Sequence, residues 1–241
     1  MAKRGKLIKK KEKEEEKKER PVRFRKYEYL FLIVCEDSTT EPAYFETYKE
    51  KIPEETLYLK TVGTGRDPKG VVETAVREKI ILEKKAKKEV DFVWIVFDKD
   101  DADATANTRQ KFQDAFTIAE TEKFEVAYSN EVFELWFLLH FTDVEASVSL
   151  PRAEVYRLLK EKFQKISGYE EYEYDHYKVD ARTVEIVINA GDRAAAIERA
   201  ESLLLHHGTT APIDANPSTR VHLLVQELLS WTAYYSYVPG E

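Results

Sequence analysis

Two stretches of the chain are apolar at every position: Tyr29 to Cys35 (YLFLIVC) and Phe92 to Phe97 (FVWIVF). Short runs of β-branched and aromatic residues without polar alternation predict strands covered on both faces. Leu57 to Val62 and Phe124 to Tyr128 predict two more strands. Between them the apolar residues fall at helical spacing. Tyr44, Phe45 and Tyr48 follow Pro42, which suits a first helical turn with Thr39 or Thr40 as its cap. Val71, Val72, Ala75, Val76, Ile80 and Leu82 supply one face of a helix over 68–88, and a further helix falls around 105–121. Ser129-Asn130 reads as the opening of a helix that runs on to Phe141. From Leu150 onward the pattern is helical only, over 151–164, 177–189, 192–206 and 217–235, with Tyr169 to Tyr177 and Thr209 to Pro217 as loops.

Strands alternating with helices predict an α/β fold with a mostly parallel sheet flanked by helices and a helical C-terminal part. The expected organisation is a charged tail over 1–26, disordered or partly helical, then an α/β domain over 27–146. A helical region over 147–241 packs on it.

Composition narrows this picture in three ways. With 43% hydrophobic residues in 241, the chain can build a substantial core. It has no run approaching the ~18–20 apolar residues of a membrane span. Its first residues form a lysine/glutamate run unlike a secretory leader. Cys35 is the only cysteine, so no internal disulfide or cysteine-built zinc site is possible; a cytoplasmic, reducing setting fits. Charge is unevenly spread. Residues 1–26 carry 13 Lys/Arg against 5 Glu, leaving 25 basic and 40 acidic side chains of the totals 38 and 45. So acidic a body does not hold nucleic acid by charge alone. A local basic patch, a divalent metal or a partner protein would be needed. The tail reads as a solvated segment or as a nucleic-acid or partner-binding arm.

Ligands of open parallel sheets bind beyond the carboxyl ends of the strands. There Glu36 follows the first buried run, and Asp98 and Asp100 follow the second. Two residues apart in an extended strand end, Asp98 and Asp100 point to one side, with Asp101 and Asp103 facing elsewhere. Glu36, Asp98 and Asp100 make a minimal oxygen-donor set for Mg²⁺ or Mn²⁺. Glu41 and Glu134, each just inside a neighbouring helix, are candidates for a second ion or a general base. The plainer alternative is that these carboxylates cap helices and turns.

Other residues bear two readings each. Gly63 to Pro68 precedes a helix, and its amides with Arg66 could hold a phosphate; it lacks Walker spacing. Lys69 and Lys99 are the other basic candidates for substrate contact. His140 is either a hydrogen-bonded core histidine or a substrate-binding residue. His222, after Asn216-Pro217-Ser218-Thr219, has phosphate contact as its functional reading, while His206 and His207 end a helix. Trp136 and its aromatic neighbours read as core more readily than as a base-stacking platform.

Four segments carry a family resemblance: Val34-Cys35-Glu36 through Thr40-Glu41-Pro42 to Tyr44-Phe45; Gly63 to Pro68; Phe97-Asp98-Lys99-Asp100-Asp101; and Ser129-Asn130 through Phe133-Glu134-Leu135-Trp136 to Leu138-Leu139-His140-Phe141. A weaker fifth is Asn216 to Thr219 leading into Val221-His222. Glutamate after a first strand with D-x-D after a later one resembles the Toprim fold of topoisomerases, primases and OLD-type nucleases. The finer likeness is to the RloB-like, AbiL-type abortive-infection family. Asp37 stands where that family usually has glycine, and Glu131 where it usually has proline. The resemblance implies a role in anti-phage defence, an AAA/ABC-type ATPase partner, and metal-dependent nuclease activity on DNA or RNA, possible tRNA included.

Three functions follow. The first is a metal-dependent nuclease using Glu36, Glu41, Asp98, Asp100 and Glu134, with Glu36, Asp98 and Asp100 on the metal. The second is a non-catalytic effector or binding subunit regulated by an ATPase partner. The third is a phosphohydrolase with an aspartate nucleophile, which gives Glu36 no role.

Overall fold

The computed structural model describes residues 24–52, 56–174 and 181–236. The tail expected over 1–26 lies, up to residue 23, outside them. So do the first residues of the helix expected over 177–189 and the end of the loop expected over 169–177.

Five strands form one sheet in the order β2-β1-β3-β4-β5. They are β1 (Tyr29–Cys35), β2 (Leu57–Gly63), β3 (Phe92–Asp98), β4 (Glu125–Asn130) and β5 (Ser218–Thr219). The first four run parallel and β5 is antiparallel to β4. The helices are α1 (Thr40–Lys49), α2 (Pro68–Ala86), α3 (Ala106–Glu122), α4 (Glu134–Leu139), α5 (Arg152–Phe163), α6 (Ala181–Ala190), α7 (Arg193–His207) and α8 (Val221–Ser236).

The uninterrupted apolar runs are explained by the two cores they feed. Phe31, Ile33 and Cys35 of β1, with Trp94 and Val96 of β3, enter one apolar cluster. Leu30, Leu32 and Val34, with Val93, Ile95 and Phe97, enter the other. Alternate side chains of a strand point to opposite faces, so both faces of these central strands must be covered. Helices α2 and α3 cover the second face through Val71, Val72, Ala75, Phe112, Ala115 and Ala119. The first face is covered by α1, α4 and the C-terminal helices α5 to α8, whose apolar stripes share one core with β1 and β3.

Three local expectations give way. The segment Ser129-Asn130 continues β4 instead of opening a helix, because Asp98 pairs with Ser129 on one side and Thr219 with Ser129 on the other. Helix α4 therefore starts only at Glu134. The helix expected from 217 is preceded by β5 and starts at Val221, whose N–H donates to Thr219 Oγ1 at 3.2 Å. Neither Thr39 nor Thr40 caps α1 through its side chain. The Asp37 carboxylate does so, accepting from the Thr40 N–H at 2.6 Å and the Thr39 hydroxyl at 2.8 Å. A charged acceptor at a helix N-terminus is the stronger cap. Among the described residues no helix is long and apolar enough to cross a membrane.

Candidate active site

The chain direction places the crevice. After β1 it turns to the first face through α1, where Tyr44, Phe45 and Tyr48 are buried. After the adjacent strand β3 it turns to the second face through α3. Two neighbouring parallel strands whose exits diverge define a topological switch point, and a cleft opens between them at their carboxyl ends. Glu36 immediately follows β1, and Asp98 is the last residue of β3.

The acidic residues are held by short backbone contacts. Glu36 Oε2 accepts the Asp98 N–H at 2.9 Å. Asp98 Oδ2 accepts the Phe133 N–H at 2.9 Å, while Asp98 Oδ1 is buried with no hydrogen-bond partner. Glu41, 2% exposed in the first turn of α1, accepts from the Asp37 N–H at 3.2 Å. Glu134, at the start of α4, accepts the Tyr174 hydroxyl. Asp100 sits in left-handed backbone at φ 44°, a conformation aspartate tolerates better than most residues, with its N–H donating to Glu131 O at 3.0 Å.

Two adjoining openings share Asp98 and Asp100. One of about 310 Å³ adds Glu41, Glu134, Arg152 and Tyr156. The other, of about 240 Å³, adds Glu36, Asp67, Lys99 and Lys111. All five carboxylates that the sequence singled out thus meet along one edge of the sheet.

Their electrostatics follow from burial and mutual repulsion. Burial pushes Glu36 up from 4.5 to about 8, with Asp100, Asp67 and Asp37 adding to the rise and the Asp98 N–H opposing it. Asp98 is raised well above the usual range by burial, then by Glu41, Asp100, Glu134 and Glu36. Glu41 and Glu134 are raised by burial first as well. Asp100 is raised by burial but partly relieved by Arg152.

Arg152, at the start of α5, is the residue that sequence reasoning missed. Its guanidinium lies 3.2 Å from Asp100, pairs with Asp101 and stands 3.7 Å from Glu131. Its own N–H donates to Glu131 Oε2 at 2.9 Å. Nothing in the local pattern marks this arginine, which is separated from Asp100 by the whole of β4 and α4. Tyr156, one turn further along α5, and Tyr174 were missed for the same reason.

The basic candidates are placed less centrally. Lys99 is buried and pairs with Asp103 at 2.8 Å and Glu131 at 3.8 Å, although it borders the smaller opening. Lys69 pairs with Asp114 at 2.8 Å, joining α2 to α3. Arg66 is exposed beside the start of α2. Several amides here are already engaged within the fold. Thr64 and Gly65 donate to the carbonyls of Cys35 and Glu36, and the Gly70 N–H is capped by Asp67 at 2.9 Å. His140 is not brought to the cleft: it lies past the far end of α4, 3% exposed, with Nδ1 2.9 Å from the Trp136 carbonyl. His222 is buried at the start of α8, and His207 contacts the Pro217 carbonyl at 3.0 Å.

The donor chemistry at the cleft suits a hard divalent cation. It offers several carboxylates, a buried oxygen without a partner, and a charge repulsion that a cation would relieve. Among the described residues no three Asp, Glu, His or Cys side chains are already gathered into a metal cage.

Fold and cleft define a doubly wound α/β protein with an acidic switch-point site. The chain belongs to the RloB-like protein family, whose family model matches residues 31–228, a span that holds every residue named at the cleft. No match was found among curated proteins or solved structures.

Proposed function

We propose that this RloB-like protein is a Toprim-type, divalent-metal-dependent nuclease that serves as a toxic effector in anti-phage defence. The observation that carries the reading is the meeting of Glu36, Asp98 and Asp100 at the switch point, with Asp98 Oδ1 buried and unpartnered. Asp98 and Asp100 would hold Mg²⁺ or Mn²⁺, with Glu36 as third ligand or proton carrier. Such an ion supplies a Lewis acid for a phosphoryl oxygen and a more acidic bound water.

The protein's own groups divide the remaining work. Glu36, which burial shifts towards its protonated form in the metal-free fold, would pass a proton to a leaving oxygen where it does not ligate the ion. Glu41 and Glu134 stand across Asp98 from Glu36, where one can orient or deprotonate a water. Arg152 offers a guanidinium to a phosphate on the same side. Family membership supports the defence role and an AAA/ABC-type ATPase partner, which would control the effector.

The test is incubation of purified protein with plasmid DNA and with total tRNA, in Mg²⁺, Mn²⁺ or EDTA. Cleavage is expected with metal and not with EDTA, and Glu36→Gln and Asp98→Asn should remove it while remaining folded. Wild-type rates in both variants would sink the assignment.

A further inference from the structure

A second cavity, of about 660 Å³, lies on the first face of the sheet, beyond the end of α1 and at the start of α7. Two helices, α1 and α4, run from the acidic cleft towards it. Helix α1 alone puts about 15 Å between Glu41 and this pocket. Its walls combine three features. Lys51 and Arg193 both lie over the Tyr48 ring, at 5.6 and 6.0 Å from its centre. Among the described residues neither cation pairs with a carboxylate. Asp192, which also borders the cavity, is committed to the α7 N-terminus, accepting from the Ala195 N–H at 3.0 Å.

The second feature is His140, almost wholly buried at the pocket wall. Its Nδ1 faces a carbonyl, which can only accept, so Nδ1 carries the hydrogen and Nε2 is a lone-pair acceptor without a partner among the described residues. The third is an apolar wall of Ile188, Ile197 and Leu229.

We infer that this pocket binds a small phosphorylated molecule of nucleotide chemistry, with its phosphate on Lys51 and Arg193. The His140 Nε2 accepts from a ligand hydroxyl or amino group, and the base or another flat body lies on the aliphatic wall. The volume falls within the range of ligand sites, about 300–1,000 Å³. Two cations beside one ring, with no carboxylate partner among the described residues, leave positive charge for a phosphate. This site is independent of the cleavage reading, because it shares no residue with the acidic cleft.

The experiment is calorimetry and thermal melting of the full chain with AMP, adenosine and inorganic phosphate. A short oligonucleotide with and without a 5′-phosphate is added to distinguish a free nucleotide from a strand end. Asp98→Asn can serve as the background protein, which keeps any cleavage out of the readout. Binding of AMP is expected, at least tenfold tighter than adenosine or phosphate alone. Arg193→Glu and Lys51→Glu should each weaken it at least tenfold. Both variants should fold, since Lys51 is exposed and a glutamate is favoured at the first position of α7. Binding of the 5′-phosphorylated strand alongside AMP assigns the site to strand ends, and binding of AMP alone assigns it to free nucleotides. No AMP binding at millimolar concentration, or unaltered binding in both charge-reversal variants, overturns the inference.

Discussion

The Glu36 carboxylate is fastened to the backbone of Asp98, 2.9 Å from its N–H, while the Asp98 side chain is itself fastened to the N–H of Phe133, the residue before α4. The two acids therefore hold together β1, β3 and the entry to α4 at the point where those elements part. Each retains oxygen that these contacts do not use, and both are in surroundings that disfavour negative charge.

Stability should fall as pH rises in metal-free protein. Glu36 has its usual value of 4.5 in the unfolded chain and about 8 when folded. Between those values the folded state binds more protons than the unfolded one, so stability declines through that window. Asp98, Glu41 and Glu134 are shifted in the same direction. Melting in EDTA at pH 5.5, 7 and 8.5 should give a descending Tm. Glu36→Gln, which keeps an oxygen to accept the Asp98 N–H, should flatten the slope. A Tm that climbs with pH would contradict this electrostatic account.

Asp98→Asn separates charge from shape. Asparagine can still accept from the Phe133 N–H but carries no charge to repel Glu41 or Asp100. In EDTA at pH 8 the variant should melt no lower than wild type. Mg²⁺ should raise the wild-type Tm by several degrees, as expected for a ligand that binds only the folded state, and leave the variant nearly unmoved. Cleavage should drop by about two orders of magnitude or more, in line with removal of a principal electrostatic group. An equal Mg²⁺ shift in both proteins would remove Asp98 from the metal site.

Arg152 competes with any cation for Asp100. Replacing it with alanine frees that carboxylate, and Mn²⁺ measured by calorimetry should bind several-fold more tightly. The lost ion pairs are partly solvent-exposed, with the arginine side chain 32% accessible, so the cost in stability should be about 1 kcal/mol. If metal affinity falls instead, Arg152 organises the site and does not oppose it.

Gly63, the last residue of β2, packs against the loop that follows Glu36. A methyl group added there would meet Ser38 Cα at 2.4 Å and the Asp37 carbonyl at 2.7 Å. Both are backbone atoms of the loop that follows Glu36, so the loop must move. Gly63→Ala should cost roughly 1–3 kcal/mol, as other overpacking changes do. It should reduce the proposed nuclease activity beyond what the remaining folded fraction explains. Normal specific activity in the folded fraction would show that the loop position is not critical.

What was legible in the sequence reflects which forces are local. The strands β1 and β3 announce themselves because burial on both faces removes every polar position, and the acids at their ends follow directly. Helix α4 was read too early because Ser129-Asn130 looks like a cap, and capping is a local signal. The competing force was ladder pairing with β3 and with β5, a strand almost ninety residues later that is two residues long. Distance along the chain likewise hid Arg152, Tyr156 and Tyr174. The work of Asp37 as the α1 cap needed coordinates.

The β4–β5 pairing also orders events during synthesis. Until Ser218 and Thr219 leave the ribosome, the end of β4 presents open amides and carbonyls beside the acid-bearing tip of β3. The acidic edge is thereby left unsealed while α4 to α7 are made, and it closes only when the segment that carries β5 is available.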